Sequence, residues 1–165
     1  MIPRRVAVSV LALLFFCLAA CNRSKTVSTS NGEVKVEESG KPGQSTLTFT
    51  DNKGAKVVIA SEGSKLPDDY PKDVPVVAGA KVVMSSSAGT AQGTQSSLVL
   101  ESPDSFDKTV AFYKKAIEDN GWKSDATVSA DKMTMISATK DTRHLVVQVT
   151  DADGKASVTQ SIGSK

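Results

Sequence analysis

An acidic cluster is the feature of this sequence that comes nearest to a catalytic constellation. Asp68, Asp69 and Asp73 surround Tyr70, and lysines flank them. Paired carboxylates act as general acid and base in hydrolysis when both groups face one reacting bond. The same pattern is also typical of a solvated, charged loop. We expect the solvated loop, and we keep a hydrolase that uses these three carboxylates as the alternative.

Two further motifs contain residue types that bind metals or transfer protons. His144 is the single histidine, and it alternates with Leu145 and Val147 along a strand pattern. Since no partner pattern accompanies it, we expect a solvent-facing side chain rather than a general base or a zinc ligand. Residues 151–154, Asp-Ala-Asp-Gly, are similar to the start of a calcium loop. The glycine and the later glutamate that such a loop needs are not at the required positions, so the sequence predicts a hairpin turn.

The motifs of common nucleophile and nucleotide chemistry are not found in the sequence. It contains no Gly-x-Ser-x-Gly elbow, no phosphate-binding loop and no dinucleotide fingerprint. Residues 87–93 are small and polar, and they predict a loop without the lysine and following helix that phosphate binding requires. We therefore expect no cofactor, no metal and no enzymatic activity.

The first 21 residues have the composition of an export signal. Arg4 and Arg5 precede an apolar run of 15 residues that ends at Ala20 and is followed by Cys21. A positive start, an apolar stretch and small residues at the exit are the three regions of such a signal. Because a permanent membrane span needs about 20 apolar residues, the run is short for one. The sequence predicts that residues 1–20 are removed, with an uncleaved anchor as the alternative.

The end of this leader resembles the lipobox of bacterial lipoproteins. In that family a leucine and two small residues precede an obligatory cysteine, as Leu18, Ala19 and Ala20 precede Cys21 here. The resemblance implies that Cys21 begins the mature chain and carries acyl groups on its sulfur and its amino nitrogen. Two or more acyl chains hold a protein firmly on a membrane. In such lipoproteins an aspartate directly after the cysteine favours the inner membrane. Asn22 occupies this position here, so the resemblance implies the periplasmic face of the outer membrane.

Removal of the leader changes the composition of the chain. Of 20 basic and 18 acidic residues, Arg4 and Arg5 leave with the leader, so basic and acidic residues become equal in number. A neutral chain lacks the basic footprint of nucleic-acid-binding proteins. Cys17 leaves as well and Cys21 is acylated, which leaves no thiol for disulfides, metal binding or catalysis. The remaining length is enough for one domain that rests on its own core.

Three segments are expected between Cys21 and the main domain. Residues 21–32 are rich in serine and threonine, and they predict a flexible tether. Residues 33–62 alternate between apolar and polar types and contain a hairpin turn at 51–54, so they predict a small β meander with one wet face. Residues 63–80 form a proline-rich connector. Its regularly spaced apolar residues predict that it lies pinned across the main domain: Leu66, Tyr70, Val74 and Val76.

Residues 81–163 predict an α+β domain, an antiparallel sheet with one long helix packed on one face in a ββαββββ order. The helix is expected over about 103–120, with Ser102 as its cap and Gly121 as its left-handed end. Its apolar stripe contains Phe106, Val110 and Ile117. The strands are expected at 81–86, 95–102, 122–128, 132–138, 143–150 and 155–162.

Residues 66–162 resemble a domain found in uncharacterised bacterial lipoproteins. The resemblance is carried by Leu-Pro at 66–67, Tyr-Pro-Lys-Asp-Val-Pro at 70–75, Gly-Ala-Lys-Val at 79–82, Phe-Tyr-Lys-Lys at 112–115 and Asn-Gly-Trp at 120–122. It implies a proline-rich entry segment, a strand pair, a helix that ends in Gly-Trp and a closing sheet. The resemblance implies no particular activity.

Together these patterns predict a lipid-anchored protein of the cell envelope that acts as a non-enzymatic binding or scaffolding module. Its partners are expected to be the membrane, through acyl groups on Cys21, and an unidentified envelope protein, without nucleic acid. Besides the hydrolase, one alternative is a binder of a small apolar ligand. That alternative requires a cavity between helix and sheet lined by Phe106, Val110 and Trp122.

Overall fold

The computed structural model describes residues 23–38, 44–61, 63, 66–67, 70–90 and 93–164. This part of the chain contains ten strands and one helix, and the strands form a single sheet. The elements are β1 (Arg23–Thr29), β2 (Gly32–Glu38), β3 (Ser45–Asp51), β4 (Lys56–Ala60), β5 (Lys81–Thr90), β6 (Gly93–Ser102), α1 (Phe106–Asp119), β7 (Lys123–Ala130), β8 (Met133–Lys140), β9 (Arg143–Ala152) and β10 (Lys155–Ser164).

The strand order contains one crossover, through α1. Strands β1 to β6 lie side by side in chain order, with the connector between β4 and β5. The chain then crosses through α1 to the opposite edge, where β7 lies, and returns through β8 and β9. Strand β10 therefore closes the sheet between β9 and β6, and all neighbours are antiparallel. The sequence left open whether the N-terminal meander joins the main sheet, and the structure pairs β4 with β5, so it does.

The predicted α+β class with one long helix is wrong, because the fold is dominated by the ten-stranded sheet. Helix α1 has 14 residues and begins at Phe106, not near 103. The Ser102 hydroxyl accepts a hydrogen bond from the Asp104 N–H at 3.2 Å and also bonds the Thr109 hydroxyl at 2.9 Å. Ser102 thus closes a turn ahead of the helix. Ser105 takes the N-cap position, without a side-chain cap.

Strand β1 is a second difference, since it occupies most of the range predicted as a flexible tether. It pairs with β2 along seven residues, from Arg23 opposite Glu38 to Thr29 opposite Gly32. Its backbone groups supply the pairing, while its serine and threonine side chains give no apolar signal in the sequence. Cys21 lies outside the described residues, as do Asp68 and Asp69.

Both predicted hairpin turns are confirmed. In the β3–β4 turn, the Asp51 carboxylate accepts two backbone N–H bonds at 2.8 Å, and Gly54 adopts a φ of 83°. In the β9–β10 turn, the Gly154 N–H donates to Asp151 Oδ1 at 3.0 Å. The stretch that is similar to a calcium loop therefore turns the chain with its own carboxylate.

The predicted end of α1 is confirmed as well. Gly121 has a φ of 76°, and the Trp122 N–H donates to the Ile117 carbonyl at 3.0 Å. This 6→1 bond, with the contact of two apolar side chains, defines a Schellman ending. Within the described ranges, no helix is long and apolar enough to cross a bilayer.

The hydrophobic core lies between one face of the sheet, here called the core face, and two covering elements. One cover is α1, which contributes Tyr113 and Ile117. The other is residues 70–77, which contribute Tyr70, Val74 and Val77 and have Val76 packed against the cluster. The predicted contact of the connector with the domain is therefore confirmed for Tyr70, Val74 and Val76 and wrong for Leu66, which is 40% exposed. Alternate residues of β6, β9 and β10 form the buried floor: Leu98, Leu100, Leu145, Val147, Val149, Ala156, Val158 and Ile162.

Candidate functional site

A cleft of about 250 Å³ opens where the core face extends past its covers toward the N-terminal strands. Val58, Ser87, Ser96 and Ile162 are register partners, so they form one row of its floor across β4, β5, β6 and β10. Pro71, from the connector, lines it as well. The complete lining is Lys56, Val58, Pro71, Ser87, Ala88, Gly89, Thr94, Ser96, Arg143, Ile162, Gly163 and Ser164.

The cleft exists because β5 and β6 carry small residues, Ser87 and Ser96, in the middle of this row. Ser96 lies on the same face of β6 as Leu98 and Leu100, which fill the core. The stretch predicted as a loop over 87–93 is mostly strand, since β5 reaches Thr90 and β6 begins at Gly93. Residues 85–89 are all small, and a run without large apolar residues does not predict a strand.

One glycine permits the close approach of two strands at the rim of this cleft. Gly93 has a φ of 141°, and a Cβ at this position would collide with the backbone carbonyl of Ser164. The Ser164 hydroxyl accepts a hydrogen bond from the Thr94 N–H at 3.2 Å. The end of β10 is thereby held against the start of β6, which fixes the rim.

Arg143 links the cleft to a charged cluster. Its guanidinium donates from Nη1 to Asp73 Oδ1 at 2.8 Å and from Nη2 to Asp73 Oδ2 at 2.7 Å. Lys140 Nζ donates to the same Oδ2 at 2.8 Å. The Arg143 guanidinium carbon also lies 4.9 Å from the centroid of the Trp122 ring, within the range of a cation–π contact. Arg143 is thus held in place from two sides.

The Asp73 carboxylate is held in its charged form by these partners. The hydrogen bonds from Arg143, and to a smaller extent those from Lys140, lower the pKa of Asp73 well below its usual range, although partial burial acts in the opposite direction. The same bond from Asp73 raises the pKa of Arg143. A carboxylate with so low a pKa and both oxygens engaged is a poor general base. Asp73 therefore has a structural role.

The lining of the cleft combines polar and apolar groups. Its described lining residues supply hydroxyls, apolar groups and two cations, and none of them is a carboxylate or an imidazole. His144 lies on the other face of the sheet, because it pairs with Gly163, next to the core-face residue Ile162. No group of three or more metal-ligating side chains occurs among the residues that the structure describes.

Hydrogen bonds hold residues 70–75 of the connector in place beside the cleft. The Tyr70 hydroxyl donates to Gln160 Oε1 at 3.0 Å, and Gln160 Nε2 donates to the Pro75 carbonyl at 2.6 Å. Trp122 Nε1 donates to the Asp73 carbonyl at 2.8 Å. Burial raises the pKa of Tyr70, so its phenol stays a neutral donor. Pro71 therefore lies between Tyr70, which is bonded to the sheet, and Asp73, whose carbonyl is bonded to Trp122 at the end of the helix.

The cavity predicted between helix and sheet is filled by the side chains that were expected to line it. Trp122 is 3% exposed, and Phe106 and Val110 pack against the buried cluster. Neither the cleft nor a shallower cavity beside the β3–β4 turn is lined by these three residues. The apolar-ligand site expected between helix and sheet is therefore closed.

A family model described as START domain-like matches residues 82–156, which is less than half of the chain. The match runs from β5 through α1 to the start of β10, so it overlaps the region for which the sequence predicts an uncharacterised domain. This part of the chain is similar to that family, and the similarity is compatible with a ligand-binding module. No curated protein and no solved structure matches the chain.

Proposed function

We propose that this protein is a lipid-anchored component of the cell envelope whose folded part binds a small ligand in the cleft, without catalysing a reaction. The observation that carries the proposal is the cleft itself, half of whose lining residues lie inside the START domain-like match. Its lining of hydroxyls and apolar groups suits recognition, and the carboxylate of Asp73, which contacts the lining residue Arg143, is bound by Arg143 and Lys140.

The lining also favours a class of ligand. Val58 and Ile162 provide an apolar floor, and serine and threonine hydroxyls surround it. Lys56 is exposed at the rim and takes part in none of the described ion pairs, whereas Arg143 is already paired with Asp73. The cleft is slightly smaller than the roughly 300–1,000 Å³ of sites for drug-sized ligands. A small amphiphile with a short apolar part and an anionic group fits this combination.

Filling the cleft should weaken binding of a small anionic amphiphile. With octanoate as the probe, Ser87→Phe should lower the affinity at least about tenfold, or ~1.4 kcal/mol, because the ring occupies the floor. Isothermal titration calorimetry measures the affinity. Ser86→Phe is the matched control, since Ser86 lies next to Ser87 on the same strand but faces the opposite side of the sheet. Equal affinity in both variants, or no binding to the unaltered protein, would contradict the proposed site.

Replacement of Cys21 tests the proposed anchor. Cys21→Ala should move the mature protein from the membrane fraction to the soluble fraction, because each acyl methylene contributes about 0.8 kcal/mol to membrane binding and all of them are lost. An uncut leader would itself hold the variant, so the variant is exported behind a leader whose removal needs no cysteine. Fractionation followed by immunoblotting measures the distribution. Retention of the processed variant in the membrane would refute the anchor.

A further inference from the structure

The side of the sheet opposite α1, here called the outer face, carries exposed apolar side chains. Six of the eight large apolar residues that are most exposed in the described structure lie on it. The strand registers place them on this side of the sheet. Across the paired strands, these residues align with positions that alternate with the buried core residues. They are Val27, Leu47, Ile59, Met84, Val128 and Met135.

The apolar side of the sheet changes between its two halves. In β6, β9 and β10 most of the large apolar residues face the core, whereas in β1 to β4 most of them face outward. Two adjacent rows of register partners form a continuous surface that we call the outer patch, across four strands and thus roughly 14 Å wide. Its members are Val27, Val34, Phe49 and Val57 in one row, and Val36, Leu47 and Ile59 in the other.

The opposite side of β1, β2 and β3 is polar, whereas β4 places Val58 there in the floor of the cleft. Lys35 and Glu37 form an ion pair there at 2.6 Å, and Thr48 and Thr50 lie beside them. The described covers of the sheet, α1 and residues 70–77, lie on the core face. Val27 remains 58% exposed and Leu47 and Ile59 each 40% exposed. A contiguous apolar surface of this kind marks a contact with another molecule or a membrane.

The position of Cys21 indicates what covers the outer patch. We propose that the outer patch lies against the lipid surface to which the chain is anchored, an inference that rests on the proposed acylation of Cys21. Cys21 is two residues before Arg23, where β1 begins. Two residues span at most about 7 Å, which is comparable to the thickness of one headgroup layer. An acylated Cys21 therefore holds β1 at the lipid surface.

The chemistry at the margin of the patch suits this contact. Lys25 lies on the outer face beside Val27, since it pairs with Val36, and its stem can extend along apolar surface while its ammonium group meets a lipid phosphate. Strand β1 is an edge of the described sheet, and one row of its backbone groups pairs with none of the described strands. Lipid headgroups and interfacial water satisfy such groups, and a membrane at this edge blocks pairing with other chains.

Site-directed spin labels test the contact. The mature acylated chain has no free thiol, so Val27→Cys and Ser28→Cys place a label on the outer and core sides of the same strand. The protein is reconstituted in vesicles of phosphatidylethanolamine and phosphatidylglycerol. The label at position 27 should be severalfold more accessible to oxygen, and less accessible to a water-soluble nickel chelate, than the label at position 28. Leu47→Cys and Thr48→Cys should repeat this contrast on β3.

Three results overturn the inference, and each is distinguishable. Mass spectrometry that finds Cys21 unmodified refutes the proposed anchor and the membrane contact together. Acylated protein with labels 27 and 28 equally accessible to the nickel chelate refutes only the contact. A label at position 27 that is shielded from both reagents, with a short label-to-label distance between two molecules, shows that a second copy covers the patch instead.

Discussion

Trp122→Ala should lower the free energy of unfolding by about 3–5 kcal/mol, the usual cost of removing a buried large aromatic side chain. Trp122 is 3% exposed and closes the helix end against the core. The variant also leaves the Asp73 carbonyl without its indole donor and removes the ring that lies beside Arg143. Because the side chain joins the core, the connector and the charged cluster, the loss should fall at the upper part of this range.

The measurement is urea unfolding of the mature chain followed by circular dichroism, since Trp122 is the single tryptophan and its fluorescence is lost with it. Phe112→Ala is the matched control. Phe112 is also aromatic and lies on α1, but it is 36% exposed, so its removal should cost much less. Similar losses in the two variants would show that Trp122 does not connect the helix end with the connector as described.

The local signals of the sequence were sufficient where one residue type determines one backbone conformation. Gly121 and Gly154 ended α1 and turned the β9–β10 hairpin as expected, because both positions need a positive φ that glycine adopts without strain. The alternating apolar residues of β9 and β10 also predicted their buried face. The start of α1 was misplaced because Ser102 has a hydroxyl that caps a turn as readily as a helix.

The class of the fold was not predictable from the same patterns. Strand β1 has Val27 as its only large apolar residue, and it forms because β2 offers a complete partner edge. Such pairing depends on a neighbour, not on the strand's own composition. The continuation of the sheet from β4 into β5 joins segments that are about 20 residues apart, separated by the connector. Sequence periodicity contains no information about that junction.

The candidate site illustrates the same limit. Asp73 attracted attention as a possible catalytic carboxylate, but its partners Lys140 and Arg143 are almost 70 residues away in sequence. The cleft was not predicted because Ser87 and Gly89 carry no distinctive chemical group. Their small size leaves the space that forms the cleft. The charged residues thus pointed to what is a structural ion pair, whereas the cleft is formed by small side chains, which the sequence did not single out.

Asp73→Asn should lower the free energy of unfolding at neutral pH by about 1–3 kcal/mol, between the values for exposed and for buried ion pairs. The Asp73 side chain is 30% exposed, and the variant leaves the positive charges of Arg143 and Lys140 without their shared carboxylate. The Asp73 backbone carbonyl still accepts the Trp122 indole bond, so the change isolates the charge. Chemical denaturation at pH 7 measures the difference between the variant and the unaltered chain.

The pH dependence of this difference follows from the lowered pKa of Asp73. In the unfolded chain the carboxyl titrates near its ordinary pKa of about 4. The folded state binds this proton only at lower pH, so the ionised form stabilises the fold above about pH 4, and this contribution declines as the pH falls below that value toward the folded-state pKa. The gap between Asp73→Asn and the unaltered protein should therefore be constant near neutrality and shrink in acid.

Asp119→Asn provides the control for this pH profile. Asp119 pairs with Lys115 at 2.7 Å on the exposed surface of α1, where solvent screens the interaction. Its replacement should change stability little at any pH. If the Asp73→Asn gap stayed constant down to pH 2, the carboxylate would not be held in its ionised form by Arg143 and Lys140. Asp73 would then again be available as a base, and the main physical argument against a hydrolase at this site would fail.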